Sequence, residues 1–392
     1  MERIFYPIGQ GAFYAERFTK EEDGINFNMV YDCGACTDPI KDYDGTPHGH
    51  KVVTQTFNSS DIINVLFISH LDTDHVNEIK NLCSTVKCIN IVMLPMLQEL
   101  HKEIAIAFYQ SISDGDEYDN IITLLNNPDE FFKEKVKKII RIEESNDFSF
   151  NGNTKTGLDS VLDGKTGETI KEKIFSLDES LDWVYIPYNH DYSKRLEKFL
   201  ENLRKEGIDI STDLSDKDEI LGFLTNLKNR KKLKKAYENL QKGAGVTTSN
   251  INANSLILYS GPMKTGPMKK EKWRIESIYK TSICICEYRF CYYKPACIYT
   301  GDSDINEVDI LFVFSQWKEY IGTIQIPHHG SLSNFNIERI PENVICPISV
   351  GKNNGYGHPS YTVIGKLMTK HCLPVCVTED SDSGLVEIIK KI

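Results

Sequence analysis

Apolar positions along the chain fall into short runs, and their spacing changes twice. "RIFYPIGQGAFYAERF" (3–18) reads as two strands around a Gly-Gln-Gly turn, and "INFNMVYDCG" (25–34) as a strand ending near Asp32 and Gly34. "INVLFISH" (63–70) and "CINIVMLP" (88–95) are continuous apolar runs, the pattern of strands buried on both faces. Between them Val76, Ile79 and Leu82 recur at helical spacing, so strand and helix alternate as in an α/β layer architecture.

From about residue 97 to 248 the texture becomes helical. "DEFFKEKVKKIIRI" (129–142) and "YSKRLEKFLENLRKEGI" (192–208) carry amphipathic patterns, the second with Leu196, Phe199, Leu200 and Leu203 along one face. "DEILGFLTNLKNRKKLKKAYENLQK" (218–242) is a third, basic in its second half. This stretch is expected to be a mostly helical insertion, a lid or docking element, in a catalytic domain formed by 1–96 plus 249–392. Strand-like runs then return in "NSLILYSG", "SICICEYRF", "ACIYTGDSD", "IGTIQIPHHGS", "VICPISVGKN" and "LPVCVTE", with helical segments near 306–320 and 360–370. Two similar halves of this kind predict a four-layer sandwich.

The strand ends carry the chemistry. In "VLFISHLDTDH", His70, Asp72, Asp74 and His75 occupy the turn between a buried strand and a helix, where open α/β folds place their sites. Four ionisable groups against a buried strand are costly unless compensated, and a cation is the simplest compensation. Later strands end in similar fashion: "YTGDSD" delivers Asp302, "IPHHGS" delivers His328 and His329, and "SVGKNNGYGHP" brings His358 into a Gly- and Asn-rich loop.

This order of motifs resembles the metallo-β-lactamase-fold hydrolases, and within them the nuclease-like domain of competence-type DNA-uptake proteins. "IGQGAF", "VYDCG", "VLFISHLDTDH", "NANSLIL", "YTGDSD", "IPHHGS" and "ISVGKNNGYGHPS" carry the likeness, over about 1–95 and 249–392. The resemblance implies an αββα four-layer sandwich and two divalent metal ions, zinc first and manganese as the alternative. By that likeness His70 and Asp72 would bind one metal, Asp74 and His75 the other, and Asp302 would bridge them. His358 with His329 or His328 would complete the coordination or assist the departing group, while Asp32 would orient the loops from beneath. Asp74, His329 and His358 are the expected catalytic residues of a metal-activated hydroxide attack. Asp72 stands where the family's motif has histidine, which adds a hard oxygen donor and raises manganese. The ligand that relatives supply between the two halves has no clean counterpart; His190 in "WVYIPYNHDY" is the candidate, against a capping or surface role.

Charge and composition narrow the substrate less than the motifs narrow the fold. The net charge of −11 argues against a wholesale nucleic-acid coat. Local basic clusters could still steer a polyanion: one holds Lys231, Lys232, Lys234 and Lys235, and another flanks Trp273, which could stack on a base. A phosphodiesterase or nuclease is the leading expectation. The alternatives are a hydrolase of small esters, lactones or cyclic nucleotides, and a regulatory module that binds a protein partner through the 97–248 stretch. The expected compartment is the cytoplasm: the start lacks a basic-then-apolar leader, no apolar run approaches a membrane span, and the 11 cysteines form no disulfide framework.

Overall fold

A computed structural model describes residues 1–19, 26–36, 45–97, 99, 102–103, 105–106, 109, 119–146, 155–164, 168–170, 174–177, 182–191, 193–207, 232, 235–236, 255–263, 273–281 and 284–391. They form a mixed α/β structure built on two large mixed sheets. The first sheet has ten strands in the order Cys284–Tyr292, Trp273–Thr281, Leu385–Lys391, Glu2–Phe5, Gly11–Thr19, Asn26–Ala35, Ile62–Phe67, Cys88–Pro95, Val136–Ile142 and Glu168–Ile170. It is antiparallel through Asn26–Ala35 and parallel from there on. In the second sheet Leu373–Val377, Ile345–Ser349, Ile321–Ile324 and Ala296–Tyr299 run parallel, followed by antiparallel Ile257–Gly261 and Val184–His190.

Strand alternation explains the layering. In the first sheet Met29, Tyr31, Val65, Phe67 and Met93 face inward, to a core shared with Tyr185, Leu258, Tyr299 and Val375 of the second sheet. Their neighbours Val30, Leu66 and Val92 face outward and pack on the helices His48–Thr56, Ile79–Thr85 and Asp119–Asn126. On the far side, Ile186, Ile298, Ile324 and Ile348 pack on Ile310–Val313, Ser315–Tyr320 and Tyr361–Thr369. The sequence of layers is helix, sheet, sheet, helix. No helix among the described residues is long and apolar enough to cross a membrane.

One polar cluster interrupts the inner core. Arg3 sits directly across from Glu16 on one side and Glu387 on the other, and all three are fully buried. The guanidinium donates to Glu16 Oε1 and Glu387 Oε2 at 2.8 Å each and to the Pro295 carbonyl at 3.0 Å. From the opposite sheet Tyr185, Ser260 and Tyr299 donate to Glu16, and Thr323 donates to Glu387. The network thus joins the two sheets through charge as well as apolar contact.

The expected 97–248 insertion does supply the helices Asp119–Asn126, Pro128–Phe132, Leu158–Leu162 and Ser193–Lys205, but it is not confined to helix or to a lid outside the sheets. Its described residues contribute six strands, and Val136–Ile142 and Val184–His190 lie inside the two sheets. "VKKIIRI" satisfies a helical spacing, but docking beside Cys88–Pro95 buries Ile139 and Ile140 on opposite faces, which only a strand can do. Ser193–Lys205 is the expected helix, with Phe199, Leu200 and Leu203 buried; the basic helix expected near 218–242 lies almost wholly outside the described residues.

Candidate metal centre

The polar residues singled out at the strand ends meet at one edge of the two sheets. Ile62–Phe67 runs into His70 and the short helix Thr73–Val76, Ala296–Tyr299 into Asp302, and Ile321–Ile324 into His328 and His329. Their ligand atoms form two overlapping groups, His70 with His75 and Asp302, and Asp74 with His75 and His329, each within 4.8 Å. This grouping differs from the expected division, because His75 belongs to both sets. Asp302 presents one oxygen to each side: Oδ1 is 3.3 Å from His75 Nε2, and Oδ2 is 3.8 Å from His70 Nε2 and 3.9 Å from His328 Nε2. Asp72 Oδ2 lies 3.5 Å from His70 Nε2.

Asp32 is placed beneath this cluster by a β-bulge. Phe13 pairs with Cys33 and Tyr14 with Tyr31, so Asp32 is the extra residue, with φ +56°. Its fully buried carboxylate accepts three bonds: from the Ser69 amide (2.6 Å), the Ser69 hydroxyl (2.6 Å) and His75 Nδ1 (2.8 Å). The Ser69 hydroxyl has then spent its proton, so its oxygen accepts from His70 Nδ1 at 2.9 Å. Ser255 adds a second oxygen 3.2 Å from that nitrogen while accepting the Asp302 amide at 2.9 Å. His329 Nδ1 donates to the Ser349 carbonyl at 2.9 Å.

All three buried imidazoles are therefore oriented alike, with Nδ1–H tied down and Nε2 facing the cluster. Two of those nitrogens, His70 Nε2 and His75 Nε2, are buried without a hydrogen-bond partner among the described residues. Orphaned lone pairs beside four carboxylates are the donor set of a cation, and the residues fit a divalent metal.

The electrostatics agree. Burial pushes the Asp302 carboxyl up, but His328, His75 and His329 outweigh it and hold it well below the usual carboxylate range. Burial also opposes ionisation of Asp74, which the His329 hydrogen bond and the charges of His75 and His329 bring below its ordinary value. Burial lowers the affinity of His75 for a proton, yet Asp302 and Asp32 raise it well above normal; His329 is raised in the same way by Asp74 and Asp302. The carboxylates thus call for positive charge at these nitrogens. His358, in the loop after Ile345–Ser349, is pushed down to about 4 by burial and by the neighbouring His328 and His329, so it is neutral near pH 7.

Not every expected residue joins the cluster. His190 ends its strand with Nδ1 3.0 Å from the Tyr188 hydroxyl and belongs to neither ligand group. Lys231 and Lys234 lie outside the described residues, and Lys235 pairs with Glu206 at 2.9 Å. Trp273 is not available to stack on a base, because it is buried between the sheets against Trp183. Conversely, Tyr109 was not anticipated: its hydroxyl donates to Asp72 Oδ1 at 2.6 Å, leaving Oδ2 as the oxygen turned toward His70. Ser69 and Ser255 were not singled out either, although each is a polar residue beside an apolar run, and nothing marked Tyr109.

The glycine of "VYDCG" is explained by close approach. A Cβ on Gly34 would lie 2.5 Å from the backbone carbons of both Asp74 and His75. Gly34→Ala is therefore expected to shift the Thr73–Val76 turn and, if the cluster takes up zinc, to weaken its uptake by about 10- to 100-fold, the usual cost of disturbing the groups that support a ligand. A zinc titration beside a circular dichroism spectrum checks this; unchanged affinity in the folded variant would contradict it.

No family model and no curated protein matches the chain.

Proposed function

We propose that the chain is a metal-dependent hydrolase of metallo-β-lactamase fold that cleaves phosphodiesters. The observation that carries the reading is the common orientation of His70, His75 and His329, held at Nδ1 so that their Nε2 atoms converge with Asp302 and Asp74. The layer order and the delivery of each ligand just past a strand end support the fold assignment.

His70, His75 and Asp302 would hold one ion, and Asp74, His75 and His329 offer a second set overlapping it. Zinc suits the imidazoles, with manganese the alternative that four nearby carboxylates favour. Such ions would lower the pKa of a bound water and neutralise charge on a phosphoryl oxygen. Asp32 and Ser69 keep His75 and His70 aimed, and Tyr109 limits Asp72 to one inward oxygen. Asp74, at the rim of the cluster and 3.1 Å from His329, is placed to take a proton from an attacking water. His328 and His358, with ring centroids 5.9 Å apart, are the groups that would donate to a leaving oxygen.

A second reading, hydrolysis of a small ester or lactone, is favoured by the net charge of −11 and by the pairing of Lys235 with Glu206. Assays of the zinc- and manganese-loaded protein on bis(p-nitrophenyl) phosphate, a single-stranded oligonucleotide, an aryl ester and a lactone separate the two. We expect phosphodiester turnover that is abolished by chelation, restored by metal and lost in Asp74→Ala. Turnover confined to the ester or lactone would establish the second reading, and a function that survives Asp74→Ala would point to a partner-binding module.

A further inference from the structure

Seven large apolar side chains stand exposed among the described residues, and three of them lie close in sequence to His328, His329 and His358: Leu332 just after the His328–Gly330 turn, Tyr356 in the loop after Ile345–Ser349, and Tyr361 at the start of the helix Tyr361–Thr369. The Ser360 amide donates to the Gly330 carbonyl at 3.0 Å and so ties the turn to the loop, with Tyr361 next to one end of that bond and Leu332 two residues from the other. Tyr356 is 75% exposed. Its ring lies within 15° of parallel to that of His358, with centroids 6.1 Å apart. His358 is in turn 5.9 Å from His328, whose Nε2 is 3.9 Å from Asp302. A line of rings thus leads from the candidate ligand Asp302 out to solvent and ends on an aromatic face.

The loop does not need this ring for its own shape. Asn354 fastens it by donating to the Gly351 carbonyl (2.6 Å) and the His358 carbonyl (2.8 Å) while accepting the His358 amide (3.0 Å). Gly355 and Gly357, on either side of Tyr356, have open space where a side chain would stand. Nor does charge in this loop offer a handle for a phosphate chain, since Lys352 is paired with Asp380. What remains is a planar, amphipathic face held next to a cluster suited to a phosphoryl group, the combination that binds unpaired bases without reading their identity.

We infer that Tyr356 is a stacking platform for a nucleobase, so that the substrate is a nucleoside phosphodiester in single-stranded form, with one base on Tyr356 and the adjoining phosphodiester at the metal centre. The inference rests on the phosphodiesterase reading. It also assigns the stacking role to a residue other than Trp273.

The test uses the full chain loaded with zinc or manganese, with an oligothymidylate and an abasic oligomer of equal length as probes. KM is read from cleavage, and Kd from the anisotropy of labelled phosphorothioate forms that resist cleavage. The wild type should prefer the thymidylate over the abasic oligomer by about fivefold or more, the usual worth of one stacked base. Tyr356→Ala should erase that preference and Tyr356→Phe should keep it. Equal binding of the two oligomers by the wild type, or a preference that survives Tyr356→Ala, would overturn the platform. Cleavage of both oligomers with equal KM would do so while leaving the phosphodiesterase reading intact. Base-preferring binding through Tyr356 with no cleavage by the metal-loaded chain would uphold the platform and remove the phosphodiesterase reading.

Discussion

Arg3→Met is expected to destabilise the protein by about 3–5 kcal/mol, the cost of breaking a buried ion network by removing one partner. Arg3 is the cation held against two buried carboxylates, Glu16 and Glu387, in a layer otherwise filled by aromatic and aliphatic side chains. Methionine keeps the unbranched aliphatic stem of the side chain but removes the Arg3 charge from both carboxylates. Tyr185, Ser260 and Tyr299 still donate to Glu16 and Thr323 to Glu387, but none of these donors carries a positive charge. Adding Glu387→Gln to Arg3→Met removes one uncompensated charge and should recover part of the loss. Urea unfolding of the three proteins reads both effects. A single-variant loss below about 1 kcal/mol would mean that the carboxylates are hydrated or protonated at little cost, contrary to their burial.

Asp302→Asn is expected to weaken metal binding by at least about 100-fold, beyond what is lost when only a supporting residue changes. One carboxylate serves His75 through Oδ1 and both His70 and His328 through Oδ2. The amide keeps the shape and the backbone bond to Ser255, yet removes the charge and replaces one inward oxygen by an N–H donor, which has no lone pair to offer a cation. The variant should therefore remain folded while losing zinc, a separation that equilibrium dialysis beside a circular dichroism spectrum reads directly. Retention of zinc at wild-type affinity would show that Asp302 is not a ligand.

The strands and the candidate cluster were legible for the same reason. Buried strands write themselves as apolar runs, and a His or Asp at the end of such a run has no cheap explanation other than a site. His70, Asp72, Asp74, His75, Asp302 and His329 were read in this way, and they come together. The helix expected over 129–142 is present only at its start, and 136–142 was not legible, because Val136, Ile139 and Ile140 fit a helical face as well as a strand and only the neighbouring Cys88–Pro95 decides between them. Lys138 misled further: it reads as a solvated residue, yet it is buried and donates to the Val161 carbonyl. The support beneath the cluster was half legible. Asp32 could be placed near the site, but the bulge that turns its carboxylate toward Ser69 and His75 depends on the pairing register of two strands. Tyr109 reaches Asp72 from a stretch without any periodic signal.

The most direct test of the account is the metal content of the purified protein after incubation with zinc or manganese and removal of free ions, wild type beside Asp74→Ala. The convergent Nε2 atoms of His70, His75 and His329 predict about two equivalents in the wild type and fewer in the variant. A wild type that retains no metal after reconstitution would contradict the metal centre, and with it the proposed hydrolysis.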